Sequence, residues 1–186
     1  MWQPLFGAQV LRPLACLALI LFAGIASADC QYYRQLTYGP WRAVIDASGN
    51  NGCSLQTIHL ALGTRERKLG EQTLTASDPV SDAWLKDLDD NQSPELILIT
   101  TSAGSGSYAR LRLFTPADNG LQIFELPPLI EPQVSEYRGH DRLLVRDGLI
   151  IREYPIYRDK DPNCCPSGGL RRQFYRFNGE ALFLEP

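Results

Sequence analysis

Along most of this chain the apolar side chains recur at every second position rather than at helical spacing, the pattern of strands with one face in a core. Residues 41–45 (Trp-Arg-Ala-Val-Ile) read as a strand ended by Asp46, and Ser48-Gly49-Asn50-Asn51-Gly52 reads as a turn rich in residues that tolerate positive φ. Residues 54–62 read as the return strand. Ile58, Leu60 and Leu62 alternate there, and Leu55 is out of phase. Residues 142–146 and 149–154 flank Asp147-Gly148, a pair suited to a type I′ hairpin turn. Residues 171–177 and 180–184 flank Asn178-Gly179 in the same way. Gly120 and Pro127, Pro128 and Pro132 interrupt the middle. Residues 80–88, opened by Pro79, are the one stretch whose pattern predicts a short helix. Many short strands at regular spacing predict an all-β fold, an antiparallel β-sandwich or barrel-like meander.

The first 28 residues have a different grammar. Arg12 is their only charge, residues 14–25 are an apolar run too short for a membrane span, and Ala26-Ser27-Ala28 matches an A-x-A cleavage site. Residues 1–28 therefore read as a cleaved signal peptide and residues 29–186 as a single β domain. The expected location is the periplasm, with no stable membrane insertion. Without the leader, 17 basic residues stand against 21 acidic ones, interspersed and without a Lys/Arg block, which argues against nucleic acid as a partner.

Cys16 leaves with the leader, so four cysteines remain: Cys30, Cys53, Cys164 and Cys165. An even number in an exported chain points to disulfides. Three pairings exist. Cys30–Cys53 is favoured because the two flank one predicted strand, and Cys164 and Cys165 either bond to each other or take distant partners. There is no C-x-x-C and no nearby histidine, which argues against zinc.

Three segments hold candidate chemistry. Asp87, Asp89, Asn91, Ser93 and Glu95 place oxygen side chains at alternate positions. That spacing suits either a calcium or glycan site or a plain acidic turn feeding the apolar run 96–99. The bend glycine usual in a calcium loop is replaced by Gln92. Residues 102–108 (Ser-Ala-Gly-Ser-Gly-Ser-Tyr) join two strand-like runs by more residues than a hairpin needs, and they combine adaptable hydroxyls with one amphipathic ring. Residues 166–172 (Pro-Ser-Gly-Gly-Leu-Arg-Arg) form a second dense loop, in which Arg171 can pair with a carboxylate. Serine catalysis is disfavoured, because there is no G-x-S-x-G elbow and His59 and His140 are the only imidazoles. The missing Gly-Lys-Ser/Thr excludes a P-loop. No enzyme activity and no cofactor are expected.

At these loops the chain resembles the periplasmic inhibitors of invertebrate-type lysozyme. The resemblance rests on an Asp-rich turn, Pro94-Glu95 before an apolar strand, and Ser105-Gly106-Ser107-Tyr108, similar to that family's Ser-Gly-x-Tyr recognition loop. It continues through residues 154–157, Asp161, Asn163 and Pro166-Ser167-Gly168-Gly169 to Arg171, and covers roughly residues 80–184. The chain departs from the family pattern at Cys164-Cys165 and at Ser167, where a threonine is expected. The resemblance implies an inhibitor that inserts the loop 105–108 into a lysozyme cleft. Ser105 and Tyr108 would meet the catalytic carboxyls, Gly106 would keep the loop narrow, Ser107 would belong to the same partner-binding loop, and Ser167, Gly168, Gly169 and Arg171 would brace a second contact. The implied partner is a lysozyme, of invertebrate type before other classes. An exposed edge strand would allow a homodimer. The alternative function is a calcium- or glycan-binding module using Asp87, Asp89, Asn91 and Glu95.

Overall fold

The computed structural model describes residues 30–49, 53–118 and 120–186, and the expected leader and its cleavage site lie outside them. Twelve strands make three four-stranded antiparallel sheets, and α1 (Gln133–Glu136) is the one helical turn among the described residues. The first sheet is a meander of β1 (Gln31–Tyr38), β2 (Trp41–Gly49), β3 (Gln56–Thr64) and β4 (Lys68–Ser77). The second, also a meander, holds β5 (Val80–Lys86), β6 (Glu95–Thr101), β7 (Ala109–Ala117) and β8 (Gly120–Glu125). The third has β9 (Arg142–Arg146), β10 (Leu149–Pro155), β11 (Leu170–Phe177) and β12 (Leu182–Leu184) in consecutive order.

The all-β antiparallel expectation holds, with a third layer added to the sandwich. The second sheet is the middle one. Leu96, Leu98, Ala83, Leu85 and Phe114 pack with Ala43, Ile45, Ile58, Leu60 and Leu62 of the first sheet. Ile97, Ile99, Leu111 and Leu113 point the other way, onto Leu143, Ile150, Tyr175 and Phe177 of the third sheet. A strand covered on both faces has no polar side, which is why residues 96–99 read as an unbroken apolar run. The same double coverage accounts for β5, where a short helix was expected over 80–88. Ala83 and Leu85 face the first core, Trp84 leans on the second, and the register with β6 is antiparallel.

Strand ends differ modestly from the sequence reading. Strand β2 runs past Asp46 to Gly49 because Ala47 is fully buried beside Ile58 and the pairing with β3 continues. Strand β3 begins at Gln56 and ends at Thr64, leaving Leu55 exposed. The turn over 48–52 lies largely outside the described residues. The Asp147-Gly148 hairpin forms as expected, with φ of 52° and 73° at its two central residues. The Asn178-Gly179 hairpin closes through a wider loop, residues 178–181, since Phe177 pairs with Leu182 and the Asn178 side chain accepts the amides of Glu180 and Ala181. Cys30 bonds to Cys53, with Cα atoms 5.2 Å apart, and staples the start of β1 to the approach of β3. Closing a separation of 23 residues restricts the unfolded chain, worth about 3 kcal/mol in the chain-entropy view. Among the described residues no helix is long and apolar enough to cross a membrane.

Candidate functional site

Three connections meet at one end of the stack: the β6–β7 loop (residues 102–108), the α1–β9 segment (137–141) and the β10–β11 loop (156–169). Their meeting is organised by a buried ion pair. Asp141, whose side chain is fully buried, accepts the Arg152 Nε–H at 2.6 Å, the Tyr137 hydroxyl at 2.5 Å and the Ala109 amide at 3.4 Å. Burial works against the charge of Arg152, but Asp141, by attraction and hydrogen bonding, leaves its pKa above the ordinary value. Burial, reinforced by Asp141, raises the Tyr137 phenol. The Arg152 guanidinium lies over the rings of Tyr137 (4.7 Å) and Tyr154 (5.3 Å).

On that base stands an aromatic ladder. Tyr154 is fully buried and Tyr137 meets it edge-on at 5.1 Å. Tyr108 then meets Tyr137 edge-on at 5.6 Å and is 48% exposed. The loop 102–108 is thus a braced surface feature. The Ser102 amide donates to the Tyr108 carbonyl and the Tyr108 amide to Ser102 Oγ, both at 2.9 Å. The His140 amide donates to the Gly106 carbonyl at 2.6 Å. Gly106 and Gly139 are required by this contact. A Cβ on Gly106 would strike the Tyr108 ring, and one on Gly139, at φ +88°, would strike the Gly106 carbonyl oxygen. Ser107, at φ +43°, completes the turn, its amide donating to the Gly104 carbonyl.

The second loop is built around Asp161. Its carboxylate accepts the Arg158 amide, the Ser167 amide and the Ser167 hydroxyl, each at 2.8 Å, and those backbone bonds hold its pKa below the usual range. Gly168 and Gly169 exchange backbone bonds with Ile156, closing the loop base. Tyr157 donates its hydroxyl to the Asn163 carbonyl at 2.9 Å, stacks near His140 and lies under Arg138. The Asn163 amide reaches across to the Ser105 carbonyl at 3.3 Å, joining the two candidate loops.

The structure therefore joins the two candidate loops through Asn163 and Ser105 and sorts their residues. Ser105 and Tyr108 present hydroxyls with no partner among the described residues. Ser167 is spent on Asp161. Arg171 is half-buried and paired with Glu136 of α1 at 2.5 Å, so it braces α1 instead of pointing at a partner. Asp141, Arg152 and Tyr137 were not singled out from the sequence. The available signal was Arg152-Glu153 inside the otherwise apolar strand 149–154.

At the opposite end of β6, roughly 20 Å away at about 3.3 Å per residue over its seven residues, Asp87, Asp89 and Glu95 gather. One carboxylate oxygen of each lies within 4.8 Å of the others. Asp90 and Gln92 take positive φ, so Gln92 makes the bend expected of a glycine. Asn91 is exposed, its side-chain amide donating to Asp89 and its side-chain oxygen accepting the Ser93 amide. Glu95 is buried, accepts the Leu88 amide at 2.8 Å, and has its carboxyl pushed up to about 7, by burial first and by Asp89 and Asp87 after it. Asp87, Asp89 and Glu95 fit a hard cation in donor chemistry.

Compared with known proteins, the chain matches no family model, no curated protein and no solved structure.

Proposed function

We propose that this protein is a lysozyme inhibitor acting through the loop 102–108. The supporting observation is that Ser105 and Tyr108 hold the unengaged hydroxyls of a loop whose backbone is tied at Ser102, Gly106 and Ser105 itself. A lysozyme cleft carries a carboxylic acid and a carboxylate. Hydroxyls carried on a braced backbone meet such groups at a smaller ordering cost than those of a free loop. Each bond to a charged acceptor contributes about 1.5–3 kcal/mol. Gly106 leaves room for the Tyr108 ring to lie down against the loop. Ser167 and Arg171 act one step back, by shaping the second loop and α1. The inhibitor performs no turnover. Because a standard interface covers about 800 Å² per partner, the loop alone is too small, and exposed apolar groups such as Leu170 and Val134 are candidates for the remaining contact.

The test is inhibition of invertebrate-, chicken- and goose-type lysozymes by the parent protein and by Tyr108→Ala and Ser105→Ala. Inhibition of the invertebrate enzyme, weakened by both substitutions, is the expected result. Inhibition indifferent to both removes the loop from the mechanism, and no inhibition of any class removes the reading.

The convergence of Asp87, Asp89 and Glu95 favours a second reading, a calcium-binding module. Calorimetric titration with calcium tests this second reading on its own: binding supports it and no binding removes it. Because the acidic turn and the loop face are at opposite ends of β6, calcium binding that leaves inhibition unchanged is compatible with both.

A further inference from the structure

Cys164 and Cys165 are neighbours in the chain, bonded to each other, and both exposed. Their bond closes the smallest loop a disulfide can close, so it removes almost no freedom from the unfolded chain, in contrast to Cys30–Cys53. Global stability therefore does not account for it, but its position does. Asn163, directly before it, carries the contact between the two loops through its side-chain amide on the Ser105 carbonyl. The Asn163 carbonyl holds the Tyr157 hydroxyl. The Cys165 amide is bonded to the Pro162 carbonyl at 3.0 Å, and Ser167, two residues on, is bonded to Asp161. The peptide between the cysteines is part of the ring closed by the bond. Opening the ring frees that backbone within the segment that reaches Ser105. Covalent adjacency also sets the Cα atoms 3.8 Å apart, below the roughly 4.4–6.8 Å span of ordinary disulfides, and departures from that span make a disulfide easier to reduce.

We propose that Cys164–Cys165 is a redox-responsive clasp on the loop face, opened by a dithiol reductant. One thiolate of the dithiol attacks a sulfur of the pair, breaking the S–S bond and forming a mixed disulfide. The second thiol of the reductant then displaces the protein sulfur. The dithiol leaves oxidised to its disulfide, and the protein takes up two electrons and two protons as two thiols. The open segment no longer holds Asn163 against Ser105, and the loop 102–108 loosens. The consequence for a lysozyme rests on the function proposed above; the exchange chemistry and the loosening do not.

The experiment equilibrates the purified protein in graded mixtures of reduced and oxidised dithiothreitol, then maps alkylated cysteines by mass spectrometry and amide exchange in each state. Cys164 and Cys165 are expected to be labelled at a more oxidising ratio than Cys30 and Cys53. In that state the amides of Ser107, Tyr108 and His140, whose acceptors lie in or beside the loop, exchange roughly tenfold faster. A Cys164→Ser/Cys165→Ser variant should reproduce the fast exchange without reductant. Free thiols at 164 and 165 in the untreated protein, simultaneous opening of both disulfides, or unchanged exchange in the selectively reduced state would each overturn the clasp. Lysozyme binding measured in parallel is expected to weaken on selective reduction. If no binding occurs in either state, the docking reading fails, and labelling and exchange still decide the clasp.

Discussion

The Tyr108 ring lies across Gly106, in the space that a Cβ at that position would occupy. The Gly106 carbonyl in turn receives the His140 amide over Gly139, whose own missing side chain leaves room for it. Two glycines far apart in sequence thus let one short loop lie flat against the segment before β9. The phenol is left at the surface with its ring edge on Tyr137.

Gly139→Ala adds both a collision with the Gly106 oxygen and an unfavourable positive φ. We expect a loss of about 1–3 kcal/mol, read as a lower urea midpoint at unchanged slope. A variant as stable as the parent would show that the loop contact is not maintained in solution.

Tyr108→Phe keeps the ring on Tyr137 and removes only the hydroxyl. Under the proposed function, affinity for the inhibited lysozyme should fall about tenfold to a hundredfold, the equivalent of one charge-assisted hydrogen bond, while thermal unfolding is unchanged. Equal inhibition by Tyr108→Phe and the parent would assign the contact to the ring alone.

Asp141→Asn leaves Arg152 buried without its counter-charge, their side chains being 0% and 10% exposed. Removing one partner of such a pair costs about 3–5 kcal/mol. Chemical denaturation of the variant beside Lys68→Ala, which breaks an exposed pair with Glu71, provides the control. That exposed pair is worth about 0–1 kcal/mol, and a similar loss in both variants would contradict the role given to Asp141.

Glu95 gives stability a pH dependence of definite sign. Its carboxyl is raised from 4.5 to about 7 in the folded protein, so between those values the native state holds the proton more tightly than the unfolded chain. Stability from this group is greatest below about 4.5, declines as pH rises towards about 7, and is level above that. Glu95→Gln, which keeps an acceptor for the Leu88 amide, should flatten that decline in calorimetric melts. A calcium ion at Asp87, Asp89 and Glu95 displaces the proton, so calcium should raise the melting temperature more at about pH 8 than at about pH 5. Parallel pH profiles for parent and Glu95→Gln would exclude this titration, and melts insensitive to calcium would exclude the metal.

Much of the scaffold is visible in the chain. Ile58, Leu60 and Leu62 alternate because β3 has one buried face, and Asp147-Gly148 supplies the two positive φ values of its turn. Trp84 misleads a local reading, since a residue facing a second core breaks alternation and mimics a helical spacing. The two loops were recognisable as dense and polar, but the division of labour within them was not. Ser167 and Arg171 have the chemistry of partner-binding residues and are engaged within the chain by Asp161 and Glu136.

By itself the sequence determined the period of two, hence strands, hairpins and an all-β fold, together with the polar loops that interrupt them, because these follow from neighbours a few residues apart. Only the tertiary structure decided that the middle sheet is covered on both faces, that Asp141 meets Arg152, and that Asn163 reaches Ser105 across 58 positions. Those contacts depend on how separate sheets stack, and the energy that selects one stacking is spread over two cores rather than written in any one segment.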